Sequence, residues 1–277
     1  MNLYISDLDG TLLDEEGCLS NESKESLIKL MALDVQFTVA SARSVQSIQR
    51  LLEDIPLTLP VVAFNGAYIS DFKTGQHYII NSIEKEIAHS LFEMLIPFGV
   101  LSSLHTNGID ELYHSGEVSI GTTDYIKDRE HDLNVKVSPI EVIPMDAEVM
   151  AFTVIDTKTN ILDLKEKLSS YDNIIVDAWE DMYYKPWYWL SIHSNQSTKA
   201  HGIKALKEMM TMSVDQLIVF GDNTNDIEMF SIADRSCAVD NAVDSLKNIA
   251  DEIIGSHVDD SVVRKIAEME GINLDTV

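Results

Sequence analysis

Cysteine is scarce in this chain: among its 277 residues there are two, Cys18 and Cys237. Two thiols so far apart cannot build a disulfide framework, and they lack the clustered spacing of a zinc site, so reduced thiols in a cytoplasmic protein are expected. Basic residues are scarce as well. Lys and Arg number 20 against 46 Asp and Glu, and the formal net charge of −26 is spread along the whole sequence. Without clustered Lys and Arg there is no footprint for a nucleic-acid backbone, and no such partner is expected. No segment approaches the ~20 apolar residues of a membrane span. Asp7 and Asp9 stand where a signal peptide would need its apolar stretch, so membrane insertion and secretion are not expected either. Internal repeats and low-complexity tracts are also missing.

What is there is ample material for a core. The 45% hydrophobic content suits one large domain or two modest ones. Apolar runs alternate with amphipathic stretches. Leu3-Tyr4-Ile5 stops at Asp7 and precedes a helix from about Ser23 to Leu33. Val35 to Ala40 precedes a helix from about Val45 to Glu53, and Val61-Val62-Ala63-Phe64 ends at Asn65-Gly66. The same grammar returns late, with a helix near Ala200 to Met210, the run Leu217-Ile218-Val219-Phe220, and a helix near Ile227 to Ala233. Buried strands alternating with helices predict a parallel α/β sheet. Residues 82–185 read as a second α/β unit inserted into this core, leaving 1–81 and 186–277 as the core itself.

Every charged motif falls at a strand's carboxyl end, where open α/β sheets bind ligands. Asp7 and Asp9 offer one carboxylate to attack and another to handle protons, a route to an aspartyl-phosphate. Gly10 permits close backbone approach to a ligand. In Ala40-Ser41-Ala42-Arg43, a hydroxyl and the following amides can hold phosphoryl oxygens at a helix start, or Ser41 can simply cap the helix. Lys199 begins the helix before the last long strand. Gly221-Asp222-Asn223-Thr224-Asn225-Asp226 follows that strand, and its carboxylate suits Mg²⁺, which takes one or two carboxylates with waters and phosphate oxygens. In so acidic a chain, a phosphate site needs a local positive zone from a metal ion and a few cations, whereas a lysine at a helix start is by itself ordinarily solvated.

In that order, the motifs resemble those of the haloacid dehalogenase superfamily. Asp7-Leu8-Asp9-Gly10-Thr11-Leu12 resembles its first motif in the form carried by phosphatases, since dehalogenases lack the second aspartate. Ala40-Ser41-Ala42-Arg43 looks like the second motif, although the subgroup usually has Thr-Gly-Arg there and Ala42 departs from it. Ser197-Thr198-Lys199-Ala200 resembles the third and Gly221 to Asp226 the fourth. Asn65-Gly66-Ala67 and Asn241-Ala242 are similar to the Cof-type subgroup, which carries its cap domain where this chain has its insert. Where that subgroup commonly has Gly, this chain has Ser261.

The resemblance implies a Rossmann-like parallel-sheet core with an inserted smaller α/β cap domain. It further implies an Mg²⁺-dependent phosphatase with Asp7 as nucleophile and Asp9 as acid/base. Metal ligands would be Asp7, Asp222 and the Asp9 carbonyl, with Asn225 and Asp226 behind them. Phosphate would be held by Ser41, Ala42, Arg43, Lys199 and Asn225. The partner would be a small phosphorylated metabolite, and the chain a monomer or homodimer. A phosphomannomutase-like phosphotransferase and a non-catalytic sensor of a phosphorylated metabolite are the alternatives. The aromatic stretch Trp179 to Trp189, and His105, His114 and His131, are read as packing or surface residues with a possible substrate contact.

Overall fold

The first apolar run forms strand β1 (Asn2–Ser6), in which Leu3, Tyr4 and Ile5 are all fully buried, as a strand covered on both faces requires. In this computed structural model, residues 1–129, 137–181, 185–210 and 213–274 are described. Helix α1 (Asn21–Ala32) starts where the Ser20 hydroxyl accepts the Ser23 amide at 2.9 Å, an N-cap. Strand β2 (Gln36–Val39), helix α2 (Val45–Leu51) and strand β3 (Val61–Ala63) follow. The sequence predicts β3 to be one more parallel strand. It bridges Ala40 in parallel at Val62 alone, and otherwise joins β4 (Tyr68–Ser70) and β5 (His77–Ile80) in a three-stranded antiparallel sheet. Asp71 makes the β4–β5 turn by accepting the Lys73 and Thr74 amides at 3.0 and 2.7 Å.

Residues Asn81–Asn195 form a unit of their own. Its elements are α3 (Lys85–Leu95), β6 (Val100–Thr106), β7 (Ile109–Ser115), α4 (Ile120–Arg129), β8 (Val137–Pro139), β9 (Glu148–Asp156), α5 (Lys158–Leu168), β10 (Ile174–Glu180) and β11 (Tyr188–Ser194). The strands make one sheet in the order β10-β11-β9-β6-β7-β8. Alternate residues Val100, Leu104, Phe152, Val154, Leu190 and Ile192 face Leu91 and Phe92 of α3 and Ile161 and Leu164 of α5, the two-layer solution to burying a sheet face. Strand β11 pairs along its length with both β10 and β9, so this unit runs to Asn195 and the return expected at 186 falls inside its sheet. Trp179 stacks on Trp189, with ring centroids 5.9 Å apart, and the Trp189 indole donates to Asp181 at 2.7 Å. His105 pairs with Asp110 at 2.7 Å, and His131 lies outside the described residues.

The chain then supplies α6 (Lys199–Met209), β12 (Gln216–Gly221), α7 (Ile227–Ile232), β13 (Arg235–Ala238), α8 (Asp244–Lys247), β14 (Glu252–Ile253) and α9 (Ser261–Glu270). These complete the unit Met1–Ile80 with Gln196–Val277, whose main sheet is parallel throughout in the order β14-β13-β12-β1-β2. The α/β core expected from the alternating pattern is present. Ser261 lies just past a left-handed residue, Asp260, and donates its hydroxyl to the Ser256 carbonyl at 2.7 Å. Ser6 is in register with both Phe220 and Val39. Asp7, Asp222 and Ser41 therefore leave the sheet at one edge, on the carboxyl side. Among the described residues, no helix is long and apolar enough to cross a membrane.

Candidate active site

Asp7 is held in line with β1 by its amide, which donates to the Phe220 carbonyl at 3.0 Å. The chain then turns sharply, with the amides of Thr11, Leu12 and Leu13 all converging on the Leu8 carbonyl. Gly10 sits in that turn at φ +72°, and a Cβ there would lie 2.6 Å from Asp222 Oδ2. Glycine is thus needed both for the backbone conformation and for the approach of the two loops. The Thr11 hydroxyl donates to Asp222 Oδ1 at 3.0 Å, and Asn241 Nδ2 donates to the Gly10 carbonyl at 2.7 Å. Neither contact is legible from motif spacing.

Lys199 is the first residue of α6, whose cap is the Thr198 hydroxyl, accepting the His201 amide at 3.2 Å. Gly66 lets α6 come close: a Cβ there would fall 2.0 Å from the Thr198 carbonyl. The Lys199 ammonium is buried between Asp7 Oδ1 at 2.9 Å and Asp226 Oδ1 at 2.6 Å. Asp226 Oδ2 accepts the amides of Asp222 and Asn223 at 2.9 and 3.0 Å, closing a capping box with Asn223. Both Asp226 oxygens are therefore engaged. Asn225 Nδ2 donates to Asn65 Oδ1 at 3.2 Å.

Burial pushes the Asp7 carboxyl up to about 7, even though Lys199 pulls it down. Burial raises Asp222 too, and Asp226 adds to that rise. For Lys199, burial alone would lower the pKa, but Asp7 and Asp226 outweigh it and the net shift is upward. Three carboxyls thus confront one ammonium, and carboxylate oxygens of Asp7, Asp222 and Asp226 lie within 4.8 Å of one another. An excess of hard oxygen donors over cations is what a Mg²⁺ site requires. With Asp226 engaged, Asp7 and Asp222 are the carboxylates that fit that ion.

Ser41 is fully buried. Its amide donates to Val62 at 2.9 Å, its carbonyl accepts the Asn65 amide at 2.9 Å, and its hydroxyl accepts the Arg43 amide at 3.2 Å. Phe64, Asn65 and Gly66 have φ of +52°, +53° and +92°, a left-handed run costly for the first two and common near functional sites. Arg43 grips Asp9 with both arms of its fork, Nε to Oδ2 at 2.7 Å and Nη2 to Oδ1 at 2.6 Å. Ala42 follows Ser41 in that loop.

A parallel sheet with an acidic centre at its carboxyl edge, braced by one buried lysine, defines an α/β enzyme core. The chain belongs to the haloacid dehalogenase-like hydrolase family, which it matches over residues 4–266. It is 24% identical to the 5-amino-6-(5-phospho-D-ribitylamino)uracil phosphatase YitU of Bacillus subtilis, over 96% of each chain, and 22% identical to the phosphatase YwpJ of the same organism, over 91% of this chain and 94% of that one. Among solved structures, TM0651 of Thermotoga maritima superposes with a TM-score of 0.77 at 25% identity, covering 96% of this chain and 97% of that one. The sugar phosphatase BT4131, of HAD subclass IIB, superposes with a TM-score of 0.70 at 18% identity over 99% of this chain and all of that one. Family and relatives together make this chain a phosphoric monoester hydrolase.

Proposed function

We propose that the chain is an Mg²⁺-dependent phosphatase of small phosphomonoesters that works through a phospho-aspartate on Asp7. The observation that carries this reading is the buried Asp7–Lys199–Asp226 chain beside Asp222. Asp7, Asp222 and the Asp9 carbonyl would hold Mg²⁺, which supplies charge neutralisation and orientation for the phosphoryl oxygens.

Lys199 holds the Asp7 carboxylate in place and offsets the charge that accumulates when it meets an anionic phosphoryl group. Asp7 attacks phosphorus, the bond to the leaving oxygen breaks, and Asp9 gives that oxygen its proton. Asp9, now a carboxylate, takes a proton from water as the water oxygen attacks phosphorus and Asp7 leaves. Ser41 with the Ala42 amide steadies the transferred group, and Asn225, tied to Asn65, borders it. Residues 81–195 act as the cap that selects the leaving group.

Sugar and sugar-alcohol phosphates, including the ribityl phosphate named for YitU, are the first substrates to assay with Mg²⁺. Free phosphate released from such a panel, and lost in Asp7→Asn of unchanged fold, is the expected result. Isomerised sugar phosphate without free phosphate would replace this reading with phosphoryl transfer. Substantial activity in Asp7→Asn would remove Asp7 as nucleophile.

A further inference from the structure

The general acid is the one reacting group of this centre with little around it. The Asp9 side chain is 52% exposed, and both described hydrogen bonds to its carboxylate come from Arg43. Left to itself, so exposed a carboxylate samples several rotamers, and proton transfer needs it within ~3 Å of the leaving oxygen. The bidentate fork fixes the position and plane of the carboxylate, and one arm lets go when that oxygen carries the proton, while the other keeps the group in place.

Arg43 is itself fixed from three directions. Its Nη1 donates to the Ser47 hydroxyl at 3.2 Å. Its amide donates to Ser41 Oγ at 3.2 Å, and its carbonyl accepts the Phe64 amide at 2.9 Å. The loop that carries Ser41 and the left-handed loop at Phe64 thus both determine where the Arg43 stem begins.

We infer that Arg43 is the positioning residue of Asp9, acting on the reaction through the orientation of that carboxyl rather than by holding the phosphoryl group. The inference rests on the proposed role of Asp9 as proton donor. It predicts a dependence on the leaving group that a phosphate-binding or a purely structural arginine would not produce. A nitrophenolate leaves without a proton, whereas an alkoxide needs one, so only alkyl esters should miss a well-placed Asp9.

The test compares kcat/KM of Arg43→Met and Arg43→Lys for p-nitrophenyl phosphate and for an alkyl phosphate that the wild type hydrolyses. A ratio taken within one preparation cancels any loss of folded protein. The alkyl-to-aryl ratio is expected to fall at least tenfold in Arg43→Met and less in Arg43→Lys. Asp9→Asn is expected to show the same signature, with Arg43→Met adding little on top of it. Equal losses on both esters, or additive losses in the double variant, would overturn the role of Arg43. A ratio unchanged in Asp9→Asn would instead overturn Asp9 as proton donor, and the positioning role would fall with it.

Discussion

Lys199 Nζ lies 2.9 Å from Asp7 Oδ1 and 2.6 Å from Asp226 Oδ1, with the ammonium and the Asp226 carboxylate fully buried and the Asp7 side chain 8% exposed. A buried pair stripped of one member leaves an uncompensated charge, at a cost of about 3–5 kcal/mol. Lys199→Met is therefore expected to lower unfolding free energy by that amount in urea titrations and to abolish turnover. Lys199→Arg should not restore activity, because a planar fork does not fit the place of a point charge. Near wild-type stability in Lys199→Met would show that the cluster is not the buried ion chain described here.

Removal of the metal makes the pH dependence of Asp7 visible. Folding raises its pKa from the usual carboxylate range to about 7, so folding favours the protonated form. The stability this gives is complete below about pH 4 and is lost as pH rises through about 7. In chelator, wild type should lose on the order of 4 kcal/mol relative to Asp7→Asn between about pH 4 and pH 8. Mg²⁺ needs the carboxylate, so its affinity should weaken below about pH 7, and calorimetry in buffers of different ionisation enthalpy should detect a released proton. A flat affinity over this range would contradict the assignment of Asp7 as ligand.

Gly10→Ala tests the approach of the two acidic loops. Its left-handed φ and the 2.6 Å separation from Asp222 Oδ2 leave no room for a methyl group. The variant should fold with a modest loss of stability, and Mg²⁺ affinity measured by calorimetry should fall by at least tenfold as Asp222 shifts.

Phe152→Ala tests the second unit. The ring is fully buried at the centre of its sheet, 6.3 Å from Phe92, and its loss should cost about 3–5 kcal/mol, read from denaturant unfolding followed by Trp fluorescence.

Much of the core was legible because parallel strands buried on both faces read as apolar runs, and β1 and β12 both end at the acidic residues that matter. The β4–β5 hairpin was not foreseen, since Tyr68–Ser70 is too short to show a period. In β11, alternation of Leu190 and Ile192 with Trp189, Ser191 and His193 was present in the sequence. The tryptophans around it resemble a junction with the core, which places the expected boundary ten residues before the observed one. The Asp9–Arg43 clamp, the Thr11–Asp222 bond and the Asn65–Asn225 pair join residues 34 to 211 positions apart. Motif spacing fixes which residues are reactive, but only the folded loops decide which of them hold one another.

The nucleophile is tested most directly by acid quenching during turnover of p-nitrophenyl phosphate with Mg²⁺, followed by peptide mass analysis. The account predicts one phosphoryl mass on the peptide carrying Asp7, seen most strongly in a variant slowed at the second step and absent from Asp7→Asn. Rapid turnover with no phosphorylated aspartate in any quenched sample, or the label on another residue, would contradict it.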